Sequence, residues 1–311
     1  MRRTFLKVVN SYLEYAVRKS VLGTLALALS ACSAIGPAPA SSPPAQPVVK
    51  TPAKPPRIAL ALGGGAARGF AHIGVLQVLE EQGIKPDLIV GTSAGSVVAT
   101  LYAAGKSPSE LGNMAMTMDE SSITDWVFPG RSVMKGEALA KFIRSHTGGR
   151  QIEQMRIPLG IVATDLNNGQ PILFRRGDPG VAVRASSSVP AVFEPVKIGG
   201  REYVDGGLVS PVPVRYAKSM GADIVIAVDI SAIPEGQPTK GPIDILLQTF
   251  NIMGHSISQY ELQEADVVMR PKLAGVGSAD FSARRLSILA GREAALSELA
   301  ELKAKIAAKT R

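Results

Sequence analysis

Ser93 lies in Gly91-Thr92-Ser93-Ala94-Gly95, a Gly-x-Ser-x-Gly pentapeptide between the apolar run Asp87-Leu88-Ile89-Val90 and Ser96-Val97-Val98-Ala99. That order puts a serine on a strand-to-helix turn, the setting of a nucleophile elbow, and predicts serine hydrolase chemistry. Flanking glycines suit such a turn because it leaves no room for a Cβ on either side. A serine hydroxyl is a weak nucleophile at its free pKa, so a base must stand within hydrogen-bond reach.

The chain has three histidines. His72 falls inside the first expected helix, His146 in the last turn of another, where the macrodipole favours a cation, and His255 inside a long expected helix. None follows a strand end as a triad histidine does, so each reads as structural. Asp205 is better placed: it follows Glu202-Tyr203-Val204 and precedes Gly206-Gly207, so it emerges at a strand end. A partly buried carboxylate can itself act as general base. Taken alone, Asp-Gly-Gly is an ordinary turn; beside the elbow, the catalytic reading leads. Asp165 and Asp229 also stand near strand ends and read as structural, Asp165 capping a turn with Asn167-Asn168-Gly169.

A glycine-rich loop, Gly63-Gly64-Gly65-Ala66-Ala67-Arg68-Gly69, joins an expected strand to an expected helix. Successive backbone N–H groups at the positive end of a helix suit an anion. Gly64-x-Ala66-x-x-Gly69 approaches a dinucleotide fingerprint, but no acidic residue closes the second strand, where Ser93 stands instead. The oxyanion of acyl transfer is the favoured anion, stabilised by this loop and by the N–H of Ala94.

These residues need a scaffold, and the periodicity supplies one. Residues 57–62, 87–90 and 223–228 read as buried strands, with 159–163, 171–174 and 266–269 as shorter ones and a strand or hairpin over 198–204. Helices are expected over 70–82, 94–104, 111–118, 135–146, 213–220, 243–263 and 286–309. Strand-helix units in succession predict an α/β fold with a mostly parallel central sheet. Neither an internal repeat nor a second linker interrupts it, so one domain covers 57–311.

The first 31 residues read as a signal peptide: Arg2, Arg3, Lys7, Arg18 and Lys19, then an apolar run from Val21 to Leu29 too short to span a bilayer. They end in Leu29-Ser30-Ala31 before Cys32, the one cysteine of the chain. This sequence resembles the lipobox of bacterial lipoproteins, which implies a lipidated Cys32. With Ser33 rather than Asp next, it implies an outer-membrane anchor facing the periplasm. Residues 32–56, rich in Pro, Ala and Ser, form a linker that extends at about 3.1 Å per residue. Charge agrees with this division. Of the net +8, residues 1–31 carry +4, 32–57 carry +3 and 283–311 carry +4, leaving −3 for 58–282. A mildly acidic body disfavours nucleic acid as a partner; the basic terminal segment suits anionic head groups.

Taken in order, the glycine loop, Gly91-Thr92-Ser93-Ala94-Gly95 and Asp205-Gly206-Gly207 resemble the patatin-like phospholipase family. Ala163-Thr164-Asp165-Leu166 and Arg184-Ala185-Ser186-Ser187-Ser188-Val189-Pro190 agree, so that the likeness spans about residues 57–230. The resemblance, closest to small bacterial members, implies a three-layer α/β/α fold. It also implies a Ser93-Asp205 dyad, an oxyanion hole from Gly64, Gly65 and Ala66 with Ala94, and Arg68 holding the loop. It further implies lipid acyl hydrolysis with neither metal nor cofactor.

For substrate, Met114, Met116, Met118, Trp126, Phe128, Ile252 and Met253 could line a flexible acyl groove, although ordinary core is the favoured reading for them. A lipidated terminus makes phospholipids and lysophospholipids the nearby pool. A general carboxylesterase or an acyltransferase is compatible with the same residues. A non-catalytic, membrane-tethered binding protein on this fold is disfavoured, because it needs none of the three motifs.

Overall fold

The computed structural model describes residues 54–125, 132–235, 239–277 and 279–311. The expected signal peptide, Cys32 and nearly all of the linker lie outside the described residues, as do Trp126 and Phe128.

Strands β1 (Ile58–Leu62), β2 (Leu88–Thr92), β3 (Leu159–Asp165) and β7 (Ile224–Val228) are buried along their whole length. Continuous apolar runs of this kind belong to parallel strands covered on both faces. With β4 (Pro171–Phe174), β5 (Val196–Ile198), β6 (Arg201–Asp205) and β8 (Val267–Met269) they form one sheet, ordered β5-β6-β3-β2-β1-β7-β8, with β4 paired to β3. Neighbours from β3 through β8 run parallel; β4, β5 and β6 join antiparallel.

Alternation along the strands divides the core. Ile58, Leu60 and Leu62 share one side with Ile89, Ile161, Ile224 and Ile226. That side is covered by α1 (Phe70–Glu81), α2 (Ala94–Ala103), α3 (Pro108–Thr117), α4 (Glu137–His146), α5 (Pro179–Ser186) and α8 (Arg284–Lys309). Ala59, Ala61, Val90 and Val225 face the other way, against α6 (Val214–Ser219) and Leu262 at the end of α7 (Pro242–Leu262). The result is a three-layer α/β/α domain.

Element ends differ from expectation by one to three residues. Helix α3 starts at Pro108 rather than Leu111 because Ser107 and Glu110 form a capping box. Helix α5 is not among the expected helices. The Asp178 carboxylate accepts the Gly180 N–H at 2.7 Å and the Val181 N–H at 3.2 Å, with Pro179 at the first helical position. Eight residues are too few for a periodic signal to stand out.

Pairing within the sheet sets up the site. Thr92, the last residue of β2, is registered with Val162 of β3, and Asp205, the last of β6, with the next residue, Ala163. Because β2 runs parallel to β3 and β6 antiparallel, their carboxyl ends converge on the same point of β3.

Candidate active site

Ser93 follows β2 directly, with φ 51° and ψ −125°. A non-glycine residue held there costs on the order of 1–3 kcal/mol and persists only when its surroundings enforce it. They do. The Ser93 N–H donates to Ser186 Oγ at 2.8 Å, and Ser186 Oγ donates in turn to Val162 O at 2.5 Å. The Ser93 carbonyl accepts from Ser96 N at 2.8 Å and Ser96 Oγ at 2.6 Å. A Cβ on Gly91 would stand 2.5 Å from Gly95 O, and one on Gly95 2.1 Å from Leu62 O, so both glycines are sterically required.

Ser93 Oγ donates to Asp205 Oδ2 at 2.7 Å. The other carboxylate oxygen accepts the Gly207 N–H at 2.7 Å, while Asp205 N donates to Ser188 O at 2.9 Å. Thr164 Oγ1 adds a bond to the Asp205 carbonyl at 2.7 Å. Burial pushes the Asp205 carboxyl up to about 6, against the opposing pull of the Ser93 and Gly207 hydrogen bonds. A carboxylate so raised is a stronger base than an exposed one and still ionised at neutral pH.

The Arg184-to-Pro190 stretch carries more than its sequence suggested. Ser186 holds the backbone of Ser93 and Ser188 that of Asp205, so the end of α5 fixes both residues at once. Two serines in a small polar run bear no local sign of these partners, which lie on other strands.

Gly64, Gly65, Ala66 and Ala94 all line the cavity that holds Ser93 and Asp205. One expected oxyanion donor is corrected: the Gly64 N–H is taken by Pro211 O at 2.9 Å. Among the described residues the N–H groups of Gly65, Ala66 and Ala94 have no protein acceptor, which leaves these three for an oxyanion. Arg68 is buried and donates through Nε to Ile230 O at 3.0 Å and through a terminal nitrogen to Val276 O at 3.4 Å. It ties the loop to the chain beyond β7. Burial lowers its pKa, partly offset by Asp229.

The histidines divide. His72 is fully buried, its Nε2 bonded to Gly63 O at 2.8 Å and its Nδ1 without a partner among the described residues, and burial pushes it down to about 4. It is therefore neutral and donates to the glycine loop from Nε2. His146 bonds Phe142 O at 2.8 Å within its own helix. His255 lines the cavity, but the Ser93 hydroxyl bonds Asp205 and no histidine. Asp165 accepts from Asn167 N at 2.9 Å and pairs with Arg201 at 2.7 Å. Asp229 accepts from Ser231 N at 3.0 Å and pairs with Arg270 at 3.4 Å. Among the described residues no three His, Cys, Asp or Glu side chains form a metal-holding group.

The cavity measures about 500 Å³ and is mainly apolar, with Leu101, Leu111, Met114, Phe142, Val189 and Phe250 in its wall. Met118 also lines it. Met116, Ile252 and Met253, expected as core or else as groove, are neither; they are exposed and do not line it.

A family model described as patatin-like phospholipase matches residues 60–218. An uncharacterized NTE family protein of Mycobacterium tuberculosis is 36% identical over 206 residues, 65% of this chain and 57% of that protein. Patatin-like phospholipase domain-containing protein 6 of Homo sapiens is 37% identical over 186 residues, 57% of this chain and 14% of that protein. This chain thus matches little over half the length of the mycobacterial relative and a small part of the human one. The crystal structure of VipD from Legionella pneumophila has a TM-score of 0.55 at 12% identity, covering 79% of this chain and 67% of that one, a likeness of fold.

Proposed function

Because the chain belongs to the patatin-like phospholipase family, we propose that it hydrolyses acyl esters of membrane lipids, of the phospholipase A or lysophospholipase type, through a Ser93-Asp205 dyad. The observation that carries this reading is the 2.7 Å hydrogen bond from Ser93 Oγ to a buried carboxylate at the floor of an apolar cavity. Asp205 takes the hydroxyl proton as Oγ attacks the ester carbonyl. The carbonyl oxygen becomes an oxyanion among the N–H groups of Gly65, Ala66 and Ala94. Each such donor contributes about 3 kcal/mol to barrier lowering. Collapse breaks the bond to the leaving alcohol, which takes the proton back from Asp205 and departs, leaving an acyl ester on Ser93. Water then attacks with Asp205 again as base, releasing the fatty acid and restoring the hydroxyl.

Apolar walls from α2, α3, α4 and α7 suit an acyl chain, and the family description and the human relative's name point to phospholipids. The reading places the domain at a membrane through a lipid on Cys32, in the bacterial envelope and facing the periplasm from the outer membrane. The test is hydrolysis of diacyl phospholipids, lysophospholipids and simple esters side by side, with Ser93→Ala as blank, together with fluorophosphonate labelling. Lipid turnover and labelling that both vanish in Ser93→Ala are expected; well-folded protein that takes no label would remove the dyad. Cys32→Ser is expected to shift the protein out of the membrane fraction.

A further inference from the structure

Helix α7 has two unlike faces. Leu247, Phe250, Asn251, Gly254 and His255 line the cavity of Ser93. On the other side Ile245, Ile252, Met253 and Tyr260 are exposed, Ile245 at 56% and Ile252 at 49%. Ile245 and Ile252 are two turns apart and so share one stripe, with Thr249 and Ser256 between and beyond them. The helix is anchored at its carboxyl end, where Ser258, Glu261 and Leu262 are buried. Glu261 accepts the Val212 N–H at 3.1 Å and the Ser210 hydroxyl. No residue from Pro242 to Ile257 is buried, so this stretch covers the cavity rather than passing through the core.

The outer stripe is also uncharged. Residues 242–262 contain no Lys or Arg. Asp244 accepts the Lys240 and Gly241 N–H groups at 3.1 Å, and Glu261 is buried. Such a surface has no cation with which to seek anionic head groups and no exposed carboxylate to be repelled by them. It complements a neutral, zwitterionic lipid surface, which isoleucine and methionine enter and where tyrosine sits at the polar boundary. The exposed Leu286, Leu289 and Leu296 of α8 differ: they alternate with Arg285, Arg292 and Glu293 and line no part of this cavity.

We infer that the outer face of α7 is the lipid-docking surface of this protein. It seats on a zwitterionic bilayer through Ile245, Ile252 and Met253, which brings the cavity beneath α7 to one helix diameter, ~10 Å, from the lipid. The inference rests on the lipid-hydrolase reading for its purpose, and its test separates the two.

The full-length chain carrying Cys32→Ser, so that no acyl anchor contributes, is assayed on phosphatidylcholine vesicles and on a water-soluble short-chain ester. The pair Ile245→Asp with Ile252→Asp is expected to lose at least tenfold in kcat/KM on vesicles while the soluble ester stays within twofold. Ile245→Ser with Ile252→Ser falls in the same direction, which assigns the loss to apolar insertion rather than to new charge. Leu289→Asp with Leu296→Asp on α8 keeps both activities. Unchanged vesicle turnover in the α7 pairs, an equal fall in the α8 pair, or a dimer that the α7 pairs dissociate would overturn the inference, the last by giving the face to a second copy of the chain. Should the parent protein hydrolyse neither substrate, the hydrolase reading fails by itself. Vesicle co-sedimentation then decides docking: the parent binds and the Asp pair does not, or the inference falls.

Discussion

Ser93 and Asp205 are 112 residues apart in the chain and 2.7 Å apart in the fold. They meet because β2 and β6 approach β3 from opposite directions and end on consecutive residues of it, Val162 and Ala163. The end of α5 then locks both backbones through Ser186 and Ser188.

Removing the carboxylate while keeping its shape isolates the base. Asp205→Asn is expected to lower ester turnover by about 10³-fold or more, within the range for general bases and coupled nucleophile pairs. His72→Gln is expected to cost far less, since His72 reaches the glycine loop and not the serine. Steady-state kinetics on one soluble ester check both; the reverse ranking would replace the dyad by a histidine mechanism.

The Asp205 carboxyl, raised to about 6 by burial, must be ionised to take the proton. The pH profile of kcat/KM is therefore expected to climb about tenfold per pH unit below 6 and to level above it. His72, held at about 4, contributes no limb near neutrality. A profile already flat at pH 5 would contradict this assignment.

Stability against pH separates two buried groups of opposite sign. Asp205 is raised from 3.8 to about 6, so the unfolded chain ionises first and wild type loses up to about 3 kcal/mol relative to Asp205→Asn as pH rises across that window. His72 is lowered from 6.5 to about 4, so the unfolded chain takes up the proton first. Wild type then loses up to about 3 kcal/mol relative to His72→Gln as pH falls from 6.5 to 4. Denaturant melts of the three proteins across pH 4–7, read as differences from wild type, check the two slopes.

Ser186→Ala removes the acceptor of the Ser93 N–H and a donor to Val162. An expected loss of about 1–3 kcal/mol in stability follows from two buried groups left unpaired. Turnover falls as well, because the strained Ser93 backbone loses one of its restraints; a variant with unchanged kcat would remove that positioning role.

Gly95→Ala tests the elbow sterically. Its Cβ would lie 2.1 Å from Leu62 O, so β1 and α2 must separate. Overpacking of this severity is expected to cost about 3 kcal/mol or more, read as a large drop in melting temperature. Gly199→Ala, with nothing within 4 Å and only a positive φ to strain it, is the milder control.

Much of this molecule is written locally. Apolar runs at 58–62, 88–92 and 224–228 make buried strands wherever they pair, and Gly91 and Gly95 mark the turn at Ser93 because no other residue fits there. Gly-rich backbone at 63–65 likewise announces a loop built for close approach. The runs and the glycine spacing are visible in the sequence itself, although the atom that excludes a Cβ at Gly95, Leu62 O, comes from another strand.

Partnership was decided only by tertiary structure. The Gly64 N–H is lost as an oxyanion donor because Pro211 comes back across the loop, 147 residues later in the numbering, to accept it. Met116, Ile252 and Met253 are apolar like Met114, yet the phase of their helices turns them to the surface while Met114 faces the cavity. Ser186 and Ser188 acquire roles only when α5 is laid over β3 and β6. A hydrogen bond needs two groups placed within a few tenths of an ångström. Local sequence sets the conformation of each segment, but the sheet pairing and helix packing that bring distant segments together set that distance.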